Sequence, residues 1–368
     1  MPSLRGPLPE YPWDALAPYA ELARAHPGGM IDLSVGSPID PTPEVVRVAL
    51  AAATDAHAYS ATAGTLALRE AIVGWLHRRR GVSVASSAVL PTIGSKELVA
   101  LLPFLLGIGA GEAVVHPRVA YPSYAMGAAL VGAEAVAADD PSEWPAHTRL
   151  VWVNSPGNPD GRVLGVEALR RAVSRARELG AVIVSDECYA ELGWESPWDA
   201  ERIPSVLDPR VVGEDHRGVL LAYSLSKQSN LAGYRAAFVA GDTALISELT
   251  NVRKHSGLMP PGPVQAAMTA ALGDDAHVAE QRERYRARRA QLLPAVEAAG
   301  YRIDGSEAGL YLWVTRGADA WECVADFARS GILVGPGVFY GDASPRHVRL
   351  SLTATDAEIA EAARRLRG

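Results

Sequence analysis

Cysteine is almost missing from this sequence: Cys188 and Cys323 are the only two in 368 residues. Two isolated thiols make neither a disulfide framework nor a zinc-ligand pattern, so no metal is expected and a reducing, cytoplasmic setting is the default. Cys188 is expected to pack as a small hydrophobe rather than to act as a nucleophile. Long basic tracts are missing as well. The formal net charge is -7, which argues against nucleic acid or an anionic membrane as partner, and the one basic triplet, Arg78-Arg79-Arg80, reads as the end of a helix. No apolar run is long enough to cross a bilayer, since the strongest, Leu98 to Gly111, contains Pro103 and reads as a buried helix. The opening Met1–Pro9 lacks the apolar stretch of a signal peptide and reads as an arm. Neither an internal repeat nor a low-complexity tract occurs. What is present is 48% hydrophobic and 21% charged, enough to bury a large core over two or more domains.

The chemistry concentrates around Ser224-Leu225-Ser226-Lys227 and the loop that ends in Ala232-Gly233-Tyr234-Arg235. The preceding run, Val219-Leu220-Leu221-Ala222, reads as a buried strand, which puts Lys227 at the strand-to-loop edge where α/β sheets bind ligands. A lysine there can be a solvated charge, half of an ion pair or a nucleophile. Hydroxyls at Ser224 and Ser226 and the Arg235 guanidinium make a phosphate cup beside that amine. An amine next to a phosphate cup suggests pyridoxal phosphate, which lysine binds covalently while the phosphate is held separately.

A pyridine ring acting as an electron sink needs a buried carboxylate to keep its nitrogen protonated. Ala181-Val182-Ile183-Val184-Ser185 reads as a parallel strand and delivers Asp186 at its end, although Asp186 could equally cap the next helix. Tyr189 can reach the ring hydroxyl from the same turn. Asn158 follows another apolar run, Leu150-Val151-Trp152-Val153, and can donate to the same oxygen; Asn-Pro and Asp-Gly here are also ordinary turn formers. Further upstream, Val89 to Glu97 reads as strand, turn and helix start. The N–H groups of Ser95 and Lys96 would then face an anion from the positive end of the helix, unless Ser95 only caps it.

These motifs stand in one order: Gly94-Ser95-Lys96-Glu97, Tyr121-Pro122-Ser123-Tyr124, Asn158-Pro159, Ser185-Asp186-Glu187-Cys188-Tyr189, Ser224 to Arg235, and Val348-Arg349-Leu350-Ser351-Leu352. From about residue 30 to the C-terminus the chain resembles the fold-type I pyridoxal-phosphate aminotransferases of class I and II. Pro12-Trp13-Asp14, Asp32-Leu33-Ser34-Val35-Gly36 and Arg253-Lys254-His255 make it similar, more closely, to actinobacterial N-succinyldiaminopimelate aminotransferases. The resemblance implies an α/β fold with a three-layer, mostly parallel large domain over residues 41–285 that binds the cofactor. A smaller α/β domain would follow over 286–368, joined by an N-terminal arm over 1–40. It further implies a homodimer with shared active sites, in which Tyr59 reaches the partner's cofactor phosphate. Tyr121 would stack on the pyridine face and Gly36 would line the substrate mouth. Arg349 would bind the α-carboxylate, for which its fork is suited, a structural ion pair being the alternative.

The implied reaction takes the amino group of N-succinyl-LL-2,6-diaminopimelate to 2-oxoglutarate, on the succinylase route to lysine and diaminopimelate, with glutamate as product. Lys227 would move the proton while Asp186, Asn158 and Tyr189 tune the ring. Extra carboxylates on that donor call for cations in the outer pocket, and Arg118, Arg253 and Lys254 are the candidates. The same constellation would serve an aspartate, alanine or aromatic transaminase or a β-lyase. A cofactor-bound regulator finds no support in an appended DNA-binding segment. Gly107-Ile108-Gly109-Ala110-Gly111 leads into an expected strand, not the helix that a dinucleotide loop requires. Helices are expected over Pro43–Ala53, Val166–Leu179 and Ala276–Ala299, strands over 150–153, 181–185, 219–223 and 236–240, and further strands over Tyr301–Thr315 and Gly331–Gly335.

Overall fold

The computed structural model describes residues 12–368, so the Met1–Pro9 stretch read as an arm lies outside the described residues. The apolar runs of the first two-thirds of the chain form one seven-stranded sheet. Its order is Val89–Ile93, Ala236–Gly241, Val219–Ser224, Val182–Asp186, Thr148–Asn154, Ala113–His116 and Glu134–Ala137. Ala236–Gly241 runs antiparallel to both neighbours, and the other pairings are parallel. Every residue of Val219–Ser224 and Ala236–Gly241 is buried. Strands covered on both faces have no need of polar alternation, which is why these read as unbroken apolar runs. One face packs under a cluster with Trp75, Tyr223 and Phe238, the other under one with Leu98, Tyr124 and Trp152, giving three layers.

Helix boundaries follow local chemistry. Thr65 accepts from the Leu68 N–H to start Leu66–Trp75, and Asp242 accepts from Ala244 and Leu245 to start Thr243–His255. Val166–Leu179 ends on Gly180 in the left-handed region. The Arg78-Arg79-Arg80 triplet does end a helical segment, Leu76–Arg80, but these arginines do more than complement a dipole. Arg80 and Glu187 form an ion pair at 2.8 Å with both side chains fully buried, and Arg79 pairs with Glu191. Both carboxylates lie just beyond Asp186, so Arg79 and Arg80 brace the end of the strand that presents it.

The C-terminal third builds a second, antiparallel sheet in the order Gly335–Pro336, His347–Ser351, Tyr311–Thr315, Arg302–Ile303. Its core includes Leu312, Val314, Phe327 and Leu350. Ile31–Asp32 pairs in parallel with Ile332–Leu333, tying the early chain to this region. The 301–315 stretch is two strands rather than one. Its connecting loop turns away and docks on the turn that follows Thr148–Asn154, with Ser306 N–H donating to Asp160 O at 2.6 Å and Ala308 N–H to Gly161 O at 3.1 Å. A 23-residue helix, Ala276–Ala298, joins the two regions. Among the described residues no helix is long and apolar enough to cross a membrane.

Candidate active site

Parallel strands deliver the residues at their C-terminal ends to a common edge, and here that edge faces the second sheet across a cavity of about 680 Å³. Gly36, Ser95, Lys96, Tyr121, Asn158, Asp186, Tyr189, Ser224, Ser226, Lys227, Arg235 and Arg349 all line it. Residues separated by more than 300 positions in sequence thus converge on one site.

Lys227 follows the Val219–Ser224 strand in a single helical turn whose start is capped by Ser224, and its Nζ donates to the Gly36 carbonyl. Burial pushes the Lys227 amine below its ordinary pKa, which favours the neutral form a base requires. Asp186 ends its strand fully buried. Its carboxylate accepts from the Tyr124 hydroxyl at 2.9 Å and the Cys188 N–H at 3.2 Å, and no cation pairs with it among the described residues. Burial raises its pKa, with the Cys188 and Tyr124 hydrogen bonds opposing. A buried carboxylate with no cation is suited to a ligand that brings one, such as a protonated ring nitrogen.

On the anion side, Ser224 Oγ donates to Ser226 Oγ at 2.8 Å, and the helix Ser95–Leu105 opens into the same cavity. Arg235 has φ 55, a left-handed conformation rare for a residue with a side chain. A Cβ at Gly94 would collide with its guanidinium, so glycine leaves the space that Arg235 fills. Two hydroxyls, a helix N-terminus and a guanidinium form a phosphate-type cradle. The amine, carboxylate and cradle fit pyridoxal phosphate.

Arg349 is buried on His347–Ser351, donating to Asn158 Oδ1 at 2.9 Å and Ser34 O at 2.7 Å. Its Nε has no partner and no acidic side chain pairs with it among the described residues. The structural ion pair left open by the sequence is therefore not what this arginine makes.

The three cations expected in the outer pocket lie elsewhere. Arg253 is fully buried and grips Glu97 through both terminal nitrogens, at 2.7 and 3.0 Å, so it is a structural pair and not an outer-pocket cation. Arg118 pairs with Glu143 at the surface, and neither it nor the exposed Lys254 lines the cavity. Part of the cavity wall is instead apolar and aromatic, with Trp13, Val35, Val338, Phe339 and Tyr340. Cys188 is buried and its thiol is pushed well up by that burial, against nucleophilic use. Tyr59 lies outside this cavity, fully exposed. Tyr124 and Tyr311 are site residues that sequence reasoning did not single out. Tyr124 lies three positions after Tyr121 beside a helix start, and Tyr311 lies in the strand that pairs with Arg349's.

The aminotransferase class I and II family model matches residues 28–366. The 4-dedimethylamino-4-oxo-anhydrotetracycline transaminase OxyQ of Streptomyces rimosus is 54% identical over 98% of this chain and 99% of its own. A probable aminotransferase of Mycobacterium tuberculosis is 54% identical over 98% and 85%. Among solved structures, a probable N-succinyldiaminopimelate aminotransferase of Thermus thermophilus superposes with a TM-score of 0.86 at 27% identity, covering 96% of this chain and 99% of that one. The edge of a mostly parallel sheet, the lysine on it and these matches together make this chain a member of the class I and II aminotransferases, pyridoxal-phosphate-dependent enzymes of fold type I.

Proposed function

We propose that this enzyme is an N-succinyl-LL-2,6-diaminopimelate:2-oxoglutarate aminotransferase, acting as a cytoplasmic homodimer. The observation that carries the amino-acid part of this reading is Arg349, a buried guanidinium at the cavity with an unpartnered Nε and no carboxylate beside it. Such a group asks for an anion, and both an amino-acid donor and a keto-acid acceptor bring an α-carboxylate. The succinylated donor is supported by the sequence likeness and by the name of the Thermus protein, a probable N-succinyldiaminopimelate aminotransferase.

Pyridoxal phosphate supplies an aldehyde for the amino group and a protonated ring that takes up the electron pair left on the donor's Cα. Ser95, Lys96, Ser224, Ser226 and Arg235 would hold its phosphate, Tyr121 its ring face, and Asn158 and Tyr189 its phenolic oxygen. Asp186 would hold a proton on the ring nitrogen. Lys227 would take the Cα proton, with an amine whose pKa burial lowers toward the neutral form a base requires. Arg349 orients the α-carboxylate, with Gly36 leaving room at the mouth.

A second reading, transfer to a ketone on a fused-ring compound, is favoured by the aromatic lining at Trp13 and Phe339 and by the relative named for such a reaction. Initial rates decide between them. With 2-oxoglutarate as acceptor, N-succinyl-LL-2,6-diaminopimelate is expected to exceed aspartate and alanine in kcat/KM by about tenfold or more. Equal or faster turnover of aspartate would remove the proposed donor, and turnover confined to a fused-ring ketone would select the second reading.

A further inference from the structure

We propose that Tyr311 is a positioning residue serving both halves of the active site: its hydroxyl turns the proton of Tyr189 into the cavity, and its ring holds the plane of the Arg349 guanidinium. The inference rests on pyridoxal phosphate at the site, not on the identity of the donor.

The Tyr311 and Tyr189 hydroxyls lie 3.2 Å apart and the rings meet edge to face, with centroids 5.8 Å apart. Each phenol has one proton, so one oxygen of the pair accepts while the other phenol gives its proton to it. The surroundings choose which. Tyr189 and Cys188 face Tyr311 from the loop after Asp186, Lys227 from its own turn and Arg349 from the neighbouring strand. Tyr189 is the phenol proposed above to donate to the cofactor's phenolic oxygen; with its one proton committed there its oxygen is the acceptor of the pair, and Tyr311 donates to it at the cavity that both residues line. A hydroxyl that accepts one hydrogen bond donates the next more strongly.

The ring has a separate task. Trp313 lies opposite Arg349 in the strand register, which makes Tyr311 a diagonal neighbour on the same face. The Arg349 Cζ sits 3.9 Å from the Tyr311 ring centroid and 4.9 Å from that of Tyr340. Contact over these rings holds the guanidinium while leaving its nitrogens for hydrogen bonding. Gly36 completes the arrangement, because a Cβ there would collide with the Tyr311 oxygen.

Tyr311→Phe removes only the hydroxyl, and Tyr311→Leu removes the ring as well. Both are purified as holoenzyme, and the absorbance of the bound cofactor is titrated against pH without substrate. Tyr189 donating to the phenolic oxygen draws off charge that would otherwise hold a proton beside it, so weaker donation moves the protonation midpoint upward. Tyr311→Phe is expected to raise that midpoint by about one pH unit and to lower kcat about tenfold, with KM for glutamate within about twofold. Tyr311→Leu is expected to raise KM about tenfold further. A Tyr311→Phe titration that overlays the wild type overturns the role of the hydroxyl, and equal KM values in the two variants overturn that of the ring. Failure of the proposed donor would leave the titration unaffected.

Discussion

A guanidinium is more than a positive charge where its hydrogens have fixed directions. Arg349 spends Nη1 on Asn158 and Nη2 on Ser34 O, which orients the group and still leaves the buried Nε open. Arg349→Lys keeps the charge but replaces a planar fork with a mobile point donor. KM for both glutamate and 2-oxoglutarate is expected to rise by about 100-fold, with a smaller change in kcat, in steady-state assays over both substrates. Equal KM values would detach Arg349 from the carboxylate. Single residues also set the limit of what the sequence discloses. Lys227, Asp186 and Arg349 were legible because each follows or interrupts an apolar run and must be buried with an unusual job. Arg253 was misjudged because its partner, Glu97, is 156 positions away. Tyr124 and Tyr311 were passed over for the same reason, since a tyrosine among apolar neighbours looks like packing until its hydroxyl's partner is known.

The helix Ala276–Ala298 shows how one element can serve a site that it does not line. His277, Gln281, Tyr285 and Arg288 lie at spacings that share one helical face. His277 Nε2 lies 2.8 Å from Ser229 Oγ, Gln281 Oε1 accepts from Asn230 Nδ2 at 2.9 Å, and the Tyr285 hydroxyl donates to Lys227 O at 3.3 Å. Arg288 then holds both oxygens of Asp40, at 2.6 and 2.8 Å. Three consecutive contacts thus fix the backbone that carries Lys227. Asp274, His277 and Ser229 superficially form a hydrolytic triad, but Ser229 is fully buried and does not line the cavity, so they are a clamp. Burial would raise Asp40, but hydrogen bonds from Arg288 and Gln281 outweigh it and hold the carboxyl below the usual range. Its stabilisation is accordingly full above the unfolded pKa of about 3.9 and is lost as pH falls through the lower folded value. Urea unfolding across a pH series should show Asp40→Asn less stable than wild type at neutral pH, with the gap closing below about pH 4. A constant gap would remove the pair from acid sensitivity. The helix itself was legible from its length and charge, whereas the break within 301–315 was not, because that loop leaves the sheet to dock on Asp160 and Gly161.

At the scale of the whole molecule, the loop after Ala53 is built to a defined shape around a side chain with nothing beside it. Gln265, itself buried, accepts from the Thr65 N–H at 3.0 Å and donates to Ala61 O at 3.1 Å. Tyr59 at the head of this loop is fully exposed, and Val48 and Leu66, in the helices before and after the loop, are also more than half exposed. Ordering a loop costs conformational entropy, and an exposed apolar surface on it is best repaid by a partner. A second copy of the chain is the partner proposed here, with Tyr59 completing the neighbour's phosphate cradle. Mixed dimers test this directly. Lys227→Ala and Tyr59→Ala subunits are each expected to be weak or inactive alone. In a dimer with one of each, the site whose lysine comes from the Tyr59→Ala subunit receives an intact tyrosine from the other chain. Random pairing makes about half of the dimers mixed, each with one complete site, so activity should recover to about a quarter of wild type on co-expression. A mixture with no more activity than the two variants measured separately would confine each active site to a single chain.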